Sequence, residues 1–270
     1  MLTGGSLEPM DPKTVLMPLP HYGFDPTESA VPWRALVRAG HAVVFATPDG
    51  EPAQADHRMV TGKGLPKLLR RSLMARVDDV RVYRDMEGSD AFRRPIEYEK
   101  IQPDEYDALV LTGGHDKGMR PYLESAVLHR VVAHFFDRDK PVGAICHGTL
   151  LAARSQSLDN PECNGRSVLW GKRTTGLTRK QEMAAYWLTR ATLGDYYRTY
   201  DMPMMDDLIS HLRTSTDYTA GPGTPVPMIR DTDERPNGFT VKDGNYLSAR
   251  WPGDAHAFAR ELVTLIGTRG

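Results

Sequence analysis

The chain has 270 residues, 40% of them hydrophobic and 26% charged, with a formal net charge of −1. That length and balance suit one large α/β domain or two small ones, with room for a sizeable core. No basic stripe argues for a nucleic-acid partner, no charge block argues for a membrane surface, and the apolar runs are far too short to span a bilayer.

Residues 1–13 read as a flexible tail. The opening segment lacks a basic n-region and an apolar h-region, so no signal peptide is expected and a cytoplasmic location follows. Residues 14–270 read as a single domain. Val15–Leu19 is the first strand, and the Gly/Pro-rich loop His21–Ser29 follows it. A helix is expected over Ala30–Ala39, with Pro32 tolerated in its first turn and Gly40 as its stop. His41–Ala46 is near-continuously apolar, as a buried parallel strand should be, and completes a βαβ unit. The charged, Pro- and Gly-containing stretch near 47–103 is different. Leu65, Leu68, Leu69 and Leu73 have helical spacing there, which fits an inserted helical cap over a site and fits a solvated helical face equally well.

The sheet resumes at Tyr106–Thr112 and ends in Gly113 and Gly114, whose bare backbone N–H groups are candidates for oxyanion or substrate binding, with His115 next in the loop. A helix is expected over Leu123–Asp137. Pro141–Ile145 then reads as a short buried strand and Gly148–Arg154 as a helix start, so Cys146 falls at the turn between them. An isolated cysteine is more often an inert core hydrophobe. Here the sharp strand-to-helix turn, small neighbours at Ala144 and Gly148, and the adjacent His147 favour a nucleophile lifted above the sheet. A helix N-terminus favours thiolate, so the thiol is expected to titrate below the free value of about 8.5.

Strand–helix alternation is expected to continue through Ser167–Trp170. Thr178 is a suitable N-cap for a helix ending near Thr192, with Gln181 completing a capping box. A second irregular stretch runs near 194–237, where Met202, Met204 and Met205 read as core filler. Gly238–Val241 and Tyr246–Arg250 form a hairpin around Asp243 and Gly244, and Asp254–Gly267 is a closing helix. Cys146 and Cys163 are the only cysteines, and no disulfide between them is expected in a cytosolic protein. No C-x-x-C or H-E-x-x-H occurs, so no metal site is expected.

Five segments, Pro26–Trp33, Thr112–His115, Ala144–Gly148, Gly171–Thr178 and Ser248–Ala255, fall in the order seen in the ThiJ/PfpI superfamily, which the chain resembles from about Val15 to Leu265. The resemblance implies the class I glutamine amidotransferase-like fold: α/β, flavodoxin-like, a doubly wound mostly parallel sheet with helices on both faces and inserted cap segments. The insertions resemble the branch holding heat-shock chaperones and glutathione-independent glyoxalase III enzymes. In that branch an acidic residue after a Thr-Gly-Phe-Thr segment joins the Cys–His pair. Glu182 matches it here, while Arg179 departs from relatives that carry an acid.

In this reading Cys146 is the nucleophile, His147 shuttles protons with a carboxylate orienting its ring, and the amides of Gly114 and His147 hold an oxyanion. Glu28, on the loop leaving the first strand, faces the same carboxyl edge of the sheet, and its pKa should rise beside a thiolate. The expected activity is a cysteine-dependent reaction on small reactive carbonyls, glyoxalase III-like (methylglyoxal to lactate) or deglycase-like, with a small carbonyl substrate, no cofactor and a homodimeric assembly. Alternatives are an amidase, peptidase or isocyanide hydratase, and a non-catalytic chaperone or redox sensor. Glutamine amidotransfer is disfavoured, because Ala257 and Phe258 stand where a carboxylate would follow His256.

Overall fold

Three runs of fully buried residues, Val15–Met17, Ala108–Leu111 and Val142–Ile145, form the middle of the sheet. The computed structural model describes residues 11–157, 159–161, 163, 165–223 and 230–268. Tail residues 1–10 and residues 224–229 of the second irregular stretch lie outside that set. The strands are β1 (Thr14–Pro18), β2 (Tyr22–Phe24), β3 (Ala42–Thr47), β4 (Gln54–Ala55), β5 (Ile96–Glu97), β6 (Ala108–Leu111), β7 (Val142–Ile145), β8 (Thr240–Asp243) and β9 (Tyr246–Ala249). Seven of them form one sheet in the order β5-β3-β1-β6-β7-β9-β8. Every pairing in it is parallel except β8 with β9. Strands buried on both faces need cover on both. The helices Pro26–Arg38, Val77–Gly88 and Ala255–Gly267 pack together as one layer, and Ala126–Asp137 packs with Gly148–Arg154 in the other. The expected doubly wound α/β fold is present.

Several local expectations need correction. The first helix begins at Pro26, not Ala30. The Asp25 side chain accepts from the amides of Thr27 at 2.8 Å and Glu28 at 3.1 Å, which caps the helix before Pro26. Glu28 therefore lies in the first helical turn and not on a loop, and Pro32 sits in the helix interior. At the other end Gly40 has φ 87, the His41 amide reaches the Leu36 carbonyl at 3.0 Å, and the Gly40 amide reaches Val37 at 3.1 Å. This is the left-handed glycine stop the sequence indicates, one residue beyond the cap.

The loop His21–Ser29 contains β2, which pairs in parallel with β4 to make a small separate sheet. Ser167–Trp170 forms no strand. Its buried Val168 and Leu169 lie in turns, with a single bridge from Ser167 to Gln156, because β9 takes the place beside β7. The helix expected from Leu123 is two helices, Arg120–Leu123 and Ala126–Asp137, the second capped by the Ser125 side chain. In the first insertion only Arg70–Leu73 of the leucine stretch is helical. Leu65 and Leu73 are buried, whereas Leu68 is 98% exposed. Val77–Gly88 packs on Pro26–Arg38 and so belongs to the sandwich rather than to a cap. The helix Arg179–Leu193 carries the anticipated capping box of Thr178 and Gln181, and the closing hairpin and helix are as expected. In the Met-rich piece Met204 is buried at the start of a helix, Met204–Ser210, while Met202 is exposed.

Candidate active site

Strand β1 is flanked by β3 on one side and β6 on the other, so the chain winds outward in both directions from this point. In an open α/β sheet a crevice opens at the carboxyl ends of the strands beside such a reversal. Three segments meet there: the first turn of the helix Pro26–Arg38 with Glu28, and the turns leaving β6 and β7 with Gly113 and Cys146. Cys146 has φ 55, a left-handed conformation costly for a side chain with a Cβ. Two glycines make the turn possible. A Cβ on Gly148 would lie 2.2 Å from the Leu111 carbonyl oxygen, so only glycine lets the elbow helix close onto β6. A Cβ on Gly113 would lie 2.7 Å from each of Cys146 Cβ, Glu28 Oε2 and the His147 amide nitrogen. The bare Cα of Gly113 is thus the floor on which the thiol, the carboxylate and the elbow amide meet.

Cys146 is 1% exposed and Glu28 is 0% exposed. Neither Glu28 oxygen has a hydrogen-bond partner of good geometry. Burial pushes the Glu28 pKa well above the usual carboxylate range, and the Asp25 charge adds to this. The facing Cys146 thiol and Gly113 amide oppose the rise only in part. Burial also pushes the Cys146 thiol up, and the Glu28 charge adds to it against the His147 amide, which favours thiolate. The acidic thiol expected from the helix N-terminus alone is therefore corrected. Each ionisation opposes the other, so burial and mutual repulsion together favour the protonated forms of both groups.

His147 Nδ1 lies 3.6 Å from Cys146 Sγ, and its Nε2 is buried without a partner. Burial lowers its pKa to about 3, helped by His115, so its ring is neutral. Glu182 is brought to the same cavity as Cys146. Its carboxylate, however, accepts from the Met204 amide at 2.9 Å and lies 4.0 Å from Arg198, and no hydrogen bond joins it to His147 among the described residues. The acid whose charge reaches His147 is Asp207, itself held by Arg154 at 2.6 Å and His211 at 3.2 Å. Gly114, with φ 157, packs against the Gly23 carbonyl of β2. His115 lines the cavity with its ring 4.6 Å from that of Tyr197, and burial lowers its pKa to about 4.

The space beside Cys146 is small, about 50 Å³. Both irregular segments contribute walls: Met59 and Leu73 from the first, Tyr197 and Arg230 from the second. Asp25, Arg230, Tyr197 and Trp251 are wall residues that the sequence does not single out. Asp25 carries a usable signal, a capping residue directly before Pro26. The others come from segments without periodicity. His256 does not line this cavity. Its Nε2 lies 3.3 Å from Asp79 and its Nδ1 3.2 Å from Asp233, behind the first helix. Among the described residues no group of three or more His, Cys, Asp or Glu is arranged to hold a metal ion, and no helix is long and apolar enough to cross a membrane.

Known proteins share this architecture. The crystal structure of a glyoxalase III from Candida albicans superposes with a TM-score of 0.67 at 19% identity, covering 94% of this chain and 97% of that one. A Pyrococcus abyssi protein named a deglycase is 26% identical over 171 residues, 63% of this chain and 69% of its own. An uncharacterized protein of Schizosaccharomyces pombe is 28% identical over 253 residues, 93% of this chain and 82% of its own. Residues 19–222 match the ThiJ/PfpI family-like sequence family, and together with the elbow and the sheet order this places the chain in that family.

Proposed function

We propose that this protein is a cysteine-dependent enzyme acting on small reactive carbonyl compounds, in the manner of a glyoxalase III or a deglycase. One observation carries the reading: the buried Glu28 carboxyl faces the Cys146 thiol across Gly113, and Cys146 in turn lines a small cavity. A proton carrier thereby stands directly beside the nucleophile. The names of the Candida and Pyrococcus relatives point the same way.

With methylglyoxal, the Cys146 sulfur adds to the aldehyde carbon, and the new oxyanion takes a proton to give a hemithioacetal. Removing the C1 proton gives an enediol, and returning a proton to C2 gives a thioester of lactate. Water releases lactate and regenerates the thiol, so the sum is methylglyoxal plus water to lactic acid. Glu28 and the neutral His147 ring are the groups placed to move these protons. The test is lactate formation from methylglyoxal by the wild type and by Cys146→Ser. Cysteine-dependent turnover supports the reading. Absence of turnover with methylglyoxal and glyoxal removes it.

A further inference from the structure

The Cys146 cavity carries a second set of polar groups that the carbonyl chemistry leaves unused. Arg230 is one of its walls. Its Nη2 donates to the backbone carbonyls of Ser72 at 3.2 Å and Leu73 at 3.3 Å, and its guanidinium lies 5.8 Å from the centre of the Trp251 ring. Among the described residues no carboxylate forms an ion pair with it. Asp25 is the acid whose charge reaches Arg230 most strongly, but Asp25 Oδ1 is held by the amides of Thr27 and Glu28. Three further wall residues, Tyr197, Trp251 and His115, have Oη, Nε1 and Nε2 atoms that are buried without a partner.

The chemistry of these four residues is one-sided, although the carboxyl groups of Asp25 and Glu182 line the same cavity. A guanidinium and an indole N–H only donate, and a phenol and a neutral imidazole can donate as well. Buried donors left unpaired are costly, and in native proteins they are generally satisfied, by ligand where not by protein. A cation among donors matches an oxyanion group, which offers several acceptor lone pairs and the opposite charge. We infer that Arg230, Tyr197, Trp251 and His115 form an oxyanion subsite in the Cys146 cavity, and that the non-reacting end of the substrate is a carboxylate or a phosphate. The inference rests on the proposed carbonyl reading only for the reacting end.

Calorimetric titration with pyruvate, dihydroxyacetone phosphate and hydroxyacetone tests it, because the three share a ketone and differ in charge. At least one anion should bind tenfold or more tighter than neutral hydroxyacetone. Pyruvate binding tighter assigns the subsite to a carboxylate, and the phosphate ester binding tighter assigns it to a phosphate. Arg230→Met should abolish the preference. Since Arg230 also holds the Ser72 and Leu73 carbonyls, Tyr197→Phe is measured beside it. This variant keeps the ring on His115 and should weaken the anion severalfold while leaving hydroxyacetone unchanged. Equal affinity for all three probes, no binding of either anion, or an undiminished preference in Tyr197→Phe overturns the subsite. Methylglyoxal turnover by the same wild-type preparation reports separately on the carbonyl reading. Anion preference without turnover keeps the subsite and removes the carbonyl chemistry.

Discussion

Glu28 stands in a first helical turn, where the helix dipole favours a charged carboxylate, yet it is fully buried with neither oxygen hydrogen-bonded. Burial wins, because a dipole worth about 1 kcal/mol cannot offset the several kcal/mol of taking a charge out of water. Glu28 should therefore be protonated at pH 7. Infrared spectroscopy should show a protonated-carboxyl C=O band at that pH which disappears in Glu28→Gln, and an unchanged spectrum in the variant would refute this. If that proton enters the chemistry, Glu28→Gln should lower kcat with methylglyoxal about 100-fold, the usual range for a general acid–base group. Wild-type-like rates in both Glu28→Gln and Glu28→Ala would remove Glu28 from the site. Glu182 is a milder case. Burial raises its pKa from 4.5 to about 7 despite the Met204 amide and Arg198. Between those values the unfolded chain gives up this proton while the folded chain retains it, so the contribution of Glu182 to stability declines as pH rises through the window. Glu182→Gln should match the wild type in melting temperature near pH 4 and exceed it at pH 8. The reverse order would show that the ionised carboxylate is the favoured native form.

The elbow and the helix beside it are positioned by the absence of side chains as much as by their presence. Leu111 leaves no room for a Cβ at Gly148, since both contacts there are rigid backbone. Gly148→Ala must push the helix Gly148–Arg154 away from β6 and should destabilise the fold by about 1–3 kcal/mol, as overpacking does, with loss of activity. Gly113→Ala meets the Cys146 Cβ and the His147 backbone nitrogen, which are fixed by the elbow, and only the Glu28 carboxylate can swing aside. It should cost both stability and most of kcat, and chemical denaturation beside kinetics measures the two. Local chemistry of this kind is legible in sequence. The strand–Cys146–helix turn, the Thr178 cap, the Gly40 stop and the Asp243–Gly244 hairpin each depend on a few adjacent residues. The misreadings came from competition between distant segments. Ser167–Trp170 has strand-like apolar residues but loses its sheet position to β9, and the helix at Pro26 starts early because Asp25 outcompetes the later start. Glu28 falls in the right place by sequence, while the partner of Glu182 is set by Met204, which lies in an aperiodic stretch. Arg230 and Tyr197 reach the cavity through packing of the two insertions, and no spacing rule encodes that.

The molecule has two hydrophobic cores of unequal size. The larger is built on the seven-stranded sheet, and the smaller gathers Met59, Leu65, Leu73, Ala185, Tyr196 and Tyr197, joining the first insertion to the helix Arg179–Leu193 and the segment after it. This smaller cluster roofs the Cys146 cavity, with Met59, Leu73 and Tyr197 in its wall. Several bonds cross the roof. Tyr196 hydrogen-bonds Asp56, Arg230 holds the carbonyls of Ser72 and Leu73, and Ala75 donates to the Met59 carbonyl at 2.9 Å. Regions with little buried apolar surface open at lower free energy than the main core. A nucleophile that is 1% exposed also requires such opening if a substrate is to reach it. Amide hydrogens of residues 57–75 should therefore exchange well before those of β1, β6 and β7. Exchange in the roof should slow when the cavity is filled, because a ligand touching Arg230 and Tyr197 bridges the two insertions. Hydrogen exchange followed by mass spectrometry, with and without a saturating bound anion, measures both. Protection over residues 57–75 equal to that of the central strands would mean that the roof moves only with global unfolding, and that substrate enters by another route.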